Sequence, residues 1–205
     1  MKILPPYYGS VFIMRKAPTC KGMRHIDLWR FKSMKSGKTY LVDVEAYEKH
    51  IYGIKFYLKS QAHLQEKYSF QTNDFEPRRI VLSCIYIMKH YYETDVHSSF
   101  AFIGANNMGE DKACTKRFRF YRTIVNTYFG TKTFEHHTDE RNSAYLMLRK
   151  TELDKNTFSI KDIENFFRDI IHVIIIYLFL IVYPKKSRSQ QAVVRRRAPD
   201  ALSAS

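Results

Sequence analysis

Residues 39–47 (TYLVDVEAY) alternate without a break. Leu41, Asp43 and Glu45 fall on one side, and Tyr40, Val42, Val44 and Ala46 on the other. Successive side chains of an extended chain point to opposite faces, so this is the signature of a strand buried on one face. It commits this part of the chain to a sheet with one apolar face that something must cover. Residues 26–33 (IDLWRFKS) and 51–58 (IYGIKFYL) read as its neighbours, with a turn at Gly37, and residues 67–71 as a short fourth strand. Gly53, inside a strand pattern, marks a bulge or a close backbone approach.

The period changes at Pro77, from which Ile80, Val81, Cys84, Ile85, Met88 and Tyr92 recur at helical spacing to about Glu93. Proline suits a first helical turn, where its missing N–H would have no partner. Residues 97–105 (HSSFAFIGA) suit a central strand. Thr115 is a candidate N-cap for a second helix, which ends at Gly130 and carries Phe118, Tyr121, Ile124, Val125, Tyr128 and Phe129 on its apolar side. Residues 134–137 and 144–149 read as a hairpin around DERN, and a third helix begins at Ile160. The expected class is α/β (α+β): a mixed, mainly antiparallel central sheet flanked by two or three helices, within residues 26–170.

Outside that domain the reading is of appendages. Residues 1–25 contain Pro5, Pro6, Gly9, Pro18 and Gly22 and no acid, which predicts an irregular basic leader. Residues 170–183, from Ile170 to Tyr183, form an apolar run shorter than the roughly 20 residues of a membrane-spanning helix. A buried strand or helix end is expected there rather than an anchor, and residues 184–205 read as a disordered basic tail. The chain's net charge of +14 is concentrated in these two ends. Such ends are attracted to nucleic acid, anionic lipid or phosphorylated ligands, whereas the domain itself is only mildly basic. Three widely spaced cysteines with no metal-binding spacing point to a reducing, cytoplasmic setting.

The order β-β-β-β-α-β-α-β-β resembles the acyl-CoA N-acyltransferases of the GNAT superfamily over residues 39–149. The resemblance implies acetyl-CoA as cofactor and a small amine or a protein amine as acceptor. Arg78 and Arg79, in the first turn of the helix at Pro77, would hold the pyrophosphate, and Asn106 and Asn107 would lie at the exit of the fifth strand. Tyr121 would be the general acid that protonates the leaving thiolate. Glu45, Glu135 or His137 are candidate bases for the amine. QTNDFEPRR holds no glycine where the family carries a glycine-bearing phosphate loop.

Two other readings stand beside this one. Lys116, Arg117, Arg119 and Arg122 form a basic helix surface interleaved with aromatics, suited to nucleic acid or an acidic partner. Alternatively, the chain is an accessory protein that keeps the fold without a cofactor. No metal site is expected, because His136 and His137 point to opposite faces of one strand.

Overall fold

The computed structural model describes residues 6–69, 74–106, 110–154, 159, 161–162 and 165. The expected apolar run, the basic tail and most of the helix expected from Ile160 lie outside them. Seven strands form one open sheet: β1 (Ser10–Lys16), β2 (Met23–Lys32), β3 (Thr39–Tyr47), β4 (Ile51–Leu58), β5 (Ser99–Ile103), β6 (Phe134–Asp139) and β7 (Ala144–Arg149). Their spatial order is β1-β2-β3-β4-β5-β7-β6. The helices are α1 (Pro77–Thr94), α2 (Lys116–Tyr128) and α3 (Lys150–Asp154). Every strand pair is antiparallel except β4 with β5. The fold is therefore α+β with a mostly antiparallel sheet, as the alternation and the helical periods predict.

One expected element moved. The fourth strand preceding α1 is not at residues 67–71, whose described part, residues 67–69, is a turn. It comes instead from the supposed leader, as β1. Val11, Phe12, Ile13 and Met14 of β1 are all exposed, and a bulge falls between Phe12 and Met14. With neither face buried, no period-2 pattern marks this strand in the sequence. Of the two readings of Gly53, the close approach holds and the bulge does not. The glycine pairs regularly with Glu45, and a side chain there would meet the Tyr47 ring at 3.3 Å.

Register assigns the faces. Val42 and Val44 share one face with Phe56 and Ile54, and Tyr52 carries that face through Phe100 to Met147. Both longer helices pack there. The Tyr91 ring of α1 lies 4.8 Å from Tyr52, and the Phe129 ring at the end of α2 lies 5.6 Å from Phe100. Phe31, Tyr40, Phe100, Phe118, Phe134 and Tyr145 are at most 2% exposed. Burying each such ring contributes about 1.5–3 kcal/mol, so this aromatic layer is the main stabilising feature. Leu41, Asp43, Glu45 and Lys55 line the opposite face.

Two buried acids, Asp27 and Glu76, and the half-buried Asp95 are held charged. Asp27 accepts from Arg15 Nε at 2.8 Å and Tyr91 Oη at 2.8 Å; burial works against its ionisation, but these bonds outweigh it and lower its pKa. Glu76 is lowered in the same way, burial again opposing, by hydrogen bonds from Tyr8, Ser33 and Ser36. Asp95 is lowered by Tyr52 and His50. A depressed carboxylate stabilises the fold above its unfolded value of about 4, and that stability is lost as pH falls through it. His25 and His136 are lowered chiefly by burial, so the fold prefers them neutral. Their contribution begins to fall below about pH 6.5. Denaturant titrations between pH 8 and pH 3 should show a shallow loss below neutrality and a steep one near pH 4; equal midpoints throughout would contradict these assignments.

Candidate functional site

The parallel pair is the singular point of the sheet. β4 and β5 are joined only at Ile51–Ser99, Tyr52–Phe100 and Gly53–Ala101. Beyond these pairs β4 stays joined to β3 and β5 to β7, but not to each other, so their carboxyl ends part. Ligands in sheets with parallel strands characteristically bind outside such carboxyl ends. The chain leaves β4 toward α1 and β5 toward α2, which places both helix N-termini, with their partial positive charge, at this end of the sheet.

Tyr121 of α2 packs against the core on the face where these strands diverge. Its ring lies 6.0 Å from Phe56 of β4 and 5.8 Å from Phe102 of β5. Burial pushes its phenol pKa up, with Arg117 opposing, so the group is protonated at neutral pH. No described residue makes a hydrogen bond to its hydroxyl. Tyr121 is thus a protonated donor without a described partner at the open end of the parallel pair.

The start of α2 is tightly built and internally satisfied. Thr115 Oγ1 donates to the Gly104 carbonyl at 2.8 Å and accepts from Phe118 N at 3.1 Å. Ser143 Oγ, from the turn before β7, accepts from Thr115 N at 2.9 Å. Glu110 Oε1 accepts from Lys116 N at 2.7 Å, taking up another first-turn donor. Gly104 lies so close to the helix that a Cβ there would be 2.4 Å from Phe118 N. This network, which the sequence reading reached only through Thr115, holds α2 and Tyr121 against β5.

The start of α1 is different. Its cap residue, Glu76, makes no side-chain cap bond. Its carboxylate accepts instead from Tyr8 Oη, from Ser33 Oγ at 2.7 Å and from Ser36 Oγ at 2.9 Å. Pro77 removes one donor of the first turn. Arg78 is exposed, and Arg79 is half-buried with its guanidinium 5.2 Å from the Tyr8 ring. Two cations therefore stand beside a helix start that no side chain caps, although a buried carboxylate already lies there.

The candidate bases do not join Tyr121. Glu45 is buried on the opposite face, accepting from Lys55 Nζ and Tyr47 Oη, each at 2.8 Å. His137 pairs with Leu146 on that same face, with Nε2 3.0 Å from Glu135 Oε1. The sheet separates Glu45, Glu135 and His137 from the phenol, so a shared proton-transfer role for them is not supported. Strand alternation predicts the face within a strand, but only register and helix placement reveal which face carries Tyr121. On Tyr121's side the structure brings together a group that residue type alone did not single out. His136 Nδ1 lies 2.8 Å from Tyr145 Oη, which donates to Asn126 Oδ1 at 2.5 Å.

The basic surface of α2 is largely spent within the chain. Arg117 donates to the carbonyls of Tyr68 at 2.7 Å and Ser69 at 2.6 Å. Arg119 donates to the Cys114 carbonyl at 2.5 Å, and Arg122 pairs with Glu140 at 2.8 Å. Asn106 donates to the Glu110 carbonyl at 3.2 Å, and Asn107 lies outside the described residues. Among the described residues no group of three or more His, Cys, Asp or Glu could hold a metal ion, and no helix is long and apolar enough to cross a membrane.

Comparison with known protein families, curated proteins and solved structures finds no match to this chain.

Proposed function

We propose that the chain is a GNAT-like acyl-CoA-dependent N-acyltransferase acting on a small amine or a protein amine. The observation that carries this reading is Tyr121, a protonated phenol packed against Phe56 of β4 and Phe102 of β5 where these strands diverge. The uncapped start of α1, beside Arg78 and Arg79, is the complementary feature for the cofactor's pyrophosphate. The fold has the same succession of strands and helices only with β1 (Ser10–Lys16), and not residues 67–71, as one of the four strands before α1.

In this reading the amine nitrogen attacks the thioester carbonyl and the C–S bond breaks. The departing thiolate takes the Tyr121 proton. The nitrogen's surplus proton passes to water, and the phenol recovers a proton from solvent. Water is the acceptor in this reading because Glu45, Glu135 and His137 face away, and His136, on Tyr121's side, is engaged with Tyr145 Oη. Cytoplasmic placement belongs to the same proposal, since acyl-CoA is an intracellular donor.

A second reading has its own support. Glu76 sets a buried negative charge at the helix start where pyrophosphate would sit, which favours an accessory protein that keeps the fold without the cofactor. Replacing Arg78 and Arg79 with alanine decides between them. Charge-assisted hydrogen bonds contribute about 1.5–3 kcal/mol each, so the double variant should bind acetyl-CoA at least about tenfold more weakly. Arg78 is exposed, so Arg78→Ala alone should leave the thermal midpoint without ligand near that of the parent, whereas Arg79→Ala also removes the contact with the Tyr8 ring and should lower it slightly. Equal affinity in parent and variant would remove this site from the account. The α2 arginines offer less to nucleic acid than their number suggests, because Arg117, Arg119 and Arg122 already have partners.

A further inference from the structure

β1 is the outermost strand and pairs, among the described residues, only with β2. It exposes four consecutive apolar side chains, Val11 at 55%, Phe12 at 46%, Ile13 at 42% and Met14 at 50%. Charged residues on an edge strand normally deter pairing with another chain. Here both cations of the strand are drawn back onto buried acids: Arg15 onto Asp27 at 2.8 Å, and Lys16 onto Asp43 at 2.6 Å. The bulge after Phe12 and the Arg15 side chain, paired yet still 61% exposed, are what remains to deter pairing within the strand. On the α1 side a shallow depression of about 160 Å³, of mixed polar and apolar lining, is bordered by Trp29, Tyr86 and Ile87 together with Lys89, His90 and Glu93.

We infer that β1 is a homodimer contact, in which it pairs antiparallel with β1 of a second copy. This inference does not depend on the acyltransferase reading. The strand's own sequence selects the occupant. Phe12 and Arg15 lie on the face of Trp29 and Asp27, whereas Val11, Met14 and Lys16 lie with Arg30, Leu28 and Ile26 on the other. Alternation from Phe12 puts Ile13 on that second face. One two-fold register sets Val11 opposite Lys16 of the second copy, Phe12 opposite Arg15, and Ile13 opposite Met14. Every opposed pair then shares a face, and no cation meets a cation. Such a contact uses one patch on both copies and closes as a dimer, consuming the free edge of each. A partner of different sequence would have to supply the same match independently.

The test is sedimentation equilibrium of the full chain across a concentration series, alongside the double variant Val11→Lys, Ile13→Lys. The average mass of the parent should rise toward twice the chain mass with concentration. The variant should remain at the chain mass with an unchanged far-ultraviolet circular dichroism spectrum. Met14→Glu, a milder exposed change opposite Ile13, serves if the double variant does not fold, and should weaken association in the same direction. A parent that stays monomeric overturns the inference. So does a folded variant that still dimerises, and so does growth into species larger than a dimer.

Discussion

Gly104→Ala should lower stability by about 3 kcal/mol, the upper part of the range for forcing an atom into a packed site. The added Cβ would lie 2.4 Å from Phe118 N and 2.6 Å from Phe118 Cα, and the obstruction is backbone that cannot rotate away. Relief requires α2 to retreat from β5. That retreat would stretch the bonds of Thr115 to Gly104 and to Ser143, which are buried and exclude replacement by water. Phe118, 0% exposed, would lose its packing as well. For a domain of this size each kcal/mol moves the thermal midpoint by about 2–4 °C, so a fall of roughly 6–12 °C is expected in a calorimetric or spectroscopic melt. Gly130→Ala is the control, since nothing lies within 4 Å of a Cβ there. Equal effects from the two changes would refute the close approach.

Tyr121→Phe should do the opposite: leave the fold almost untouched and disable the chemistry. The ring contacts with Phe56 and Phe102 survive the change, and no described residue loses a hydrogen bond. A positioned general acid contributes about 10²- to 10⁴-fold, so the rate of acyl transfer to an accepted amine should fall by that factor. Affinity for acetyl-CoA should change little, because the phenol acts on the leaving thiolate and not on the pyrophosphate. A phenylalanine variant with parental turnover would show that the tyrosine is a core residue with a chance position. A variant that loses stability and activity together would point to a structural bond from the phenol, and not to catalysis.

Much of this arrangement could be read along the chain, and the failures have a common cause. Where an element carries its apolar side chains on one side, its pattern declares it: the alternation of β3, the helical recurrence from Pro77, the cap at Thr115. Yet β3 is not buried on one face alone, since Asp43 and Glu45 on its other face are buried too. β1 buries neither side, so it leaves no pattern and reads as a leader. The site suffered from a second limit. Alternation separates Asp43 and Glu45 from Val42 and Val44, but it says nothing about which face a helix from elsewhere will cover. Glu45 and Tyr121 therefore looked compatible until register and packing placed them on opposite sides. Long-range partners are hidden for the same reason. Arg117 looks like a free cation in sequence, yet it is spent on carbonyls of Tyr68 and Ser69, 49 and 48 residues away. Glu76 looks like an ordinary surface acid, yet it is buried at the start of α1 under hydroxyls from Tyr8 and Ser33, 68 and 43 residues away.

The most direct measurement is thermal unfolding of the full chain with and without millimolar acetyl-CoA, repeated with inorganic phosphate at equal ionic strength. A ligand that binds only the folded protein raises its stability by mass action, by about 2.7 kcal/mol at a hundredfold excess over the dissociation constant. For a chain of this length that corresponds to a rise of roughly 5–11 °C. The account predicts a saturable rise with acetyl-CoA, absent with phosphate and reduced by replacing Arg78 and Arg79. A folded chain whose midpoint does not move at any concentration of acetyl-CoA would contradict the acyltransferase reading and leave the fold without its cofactor.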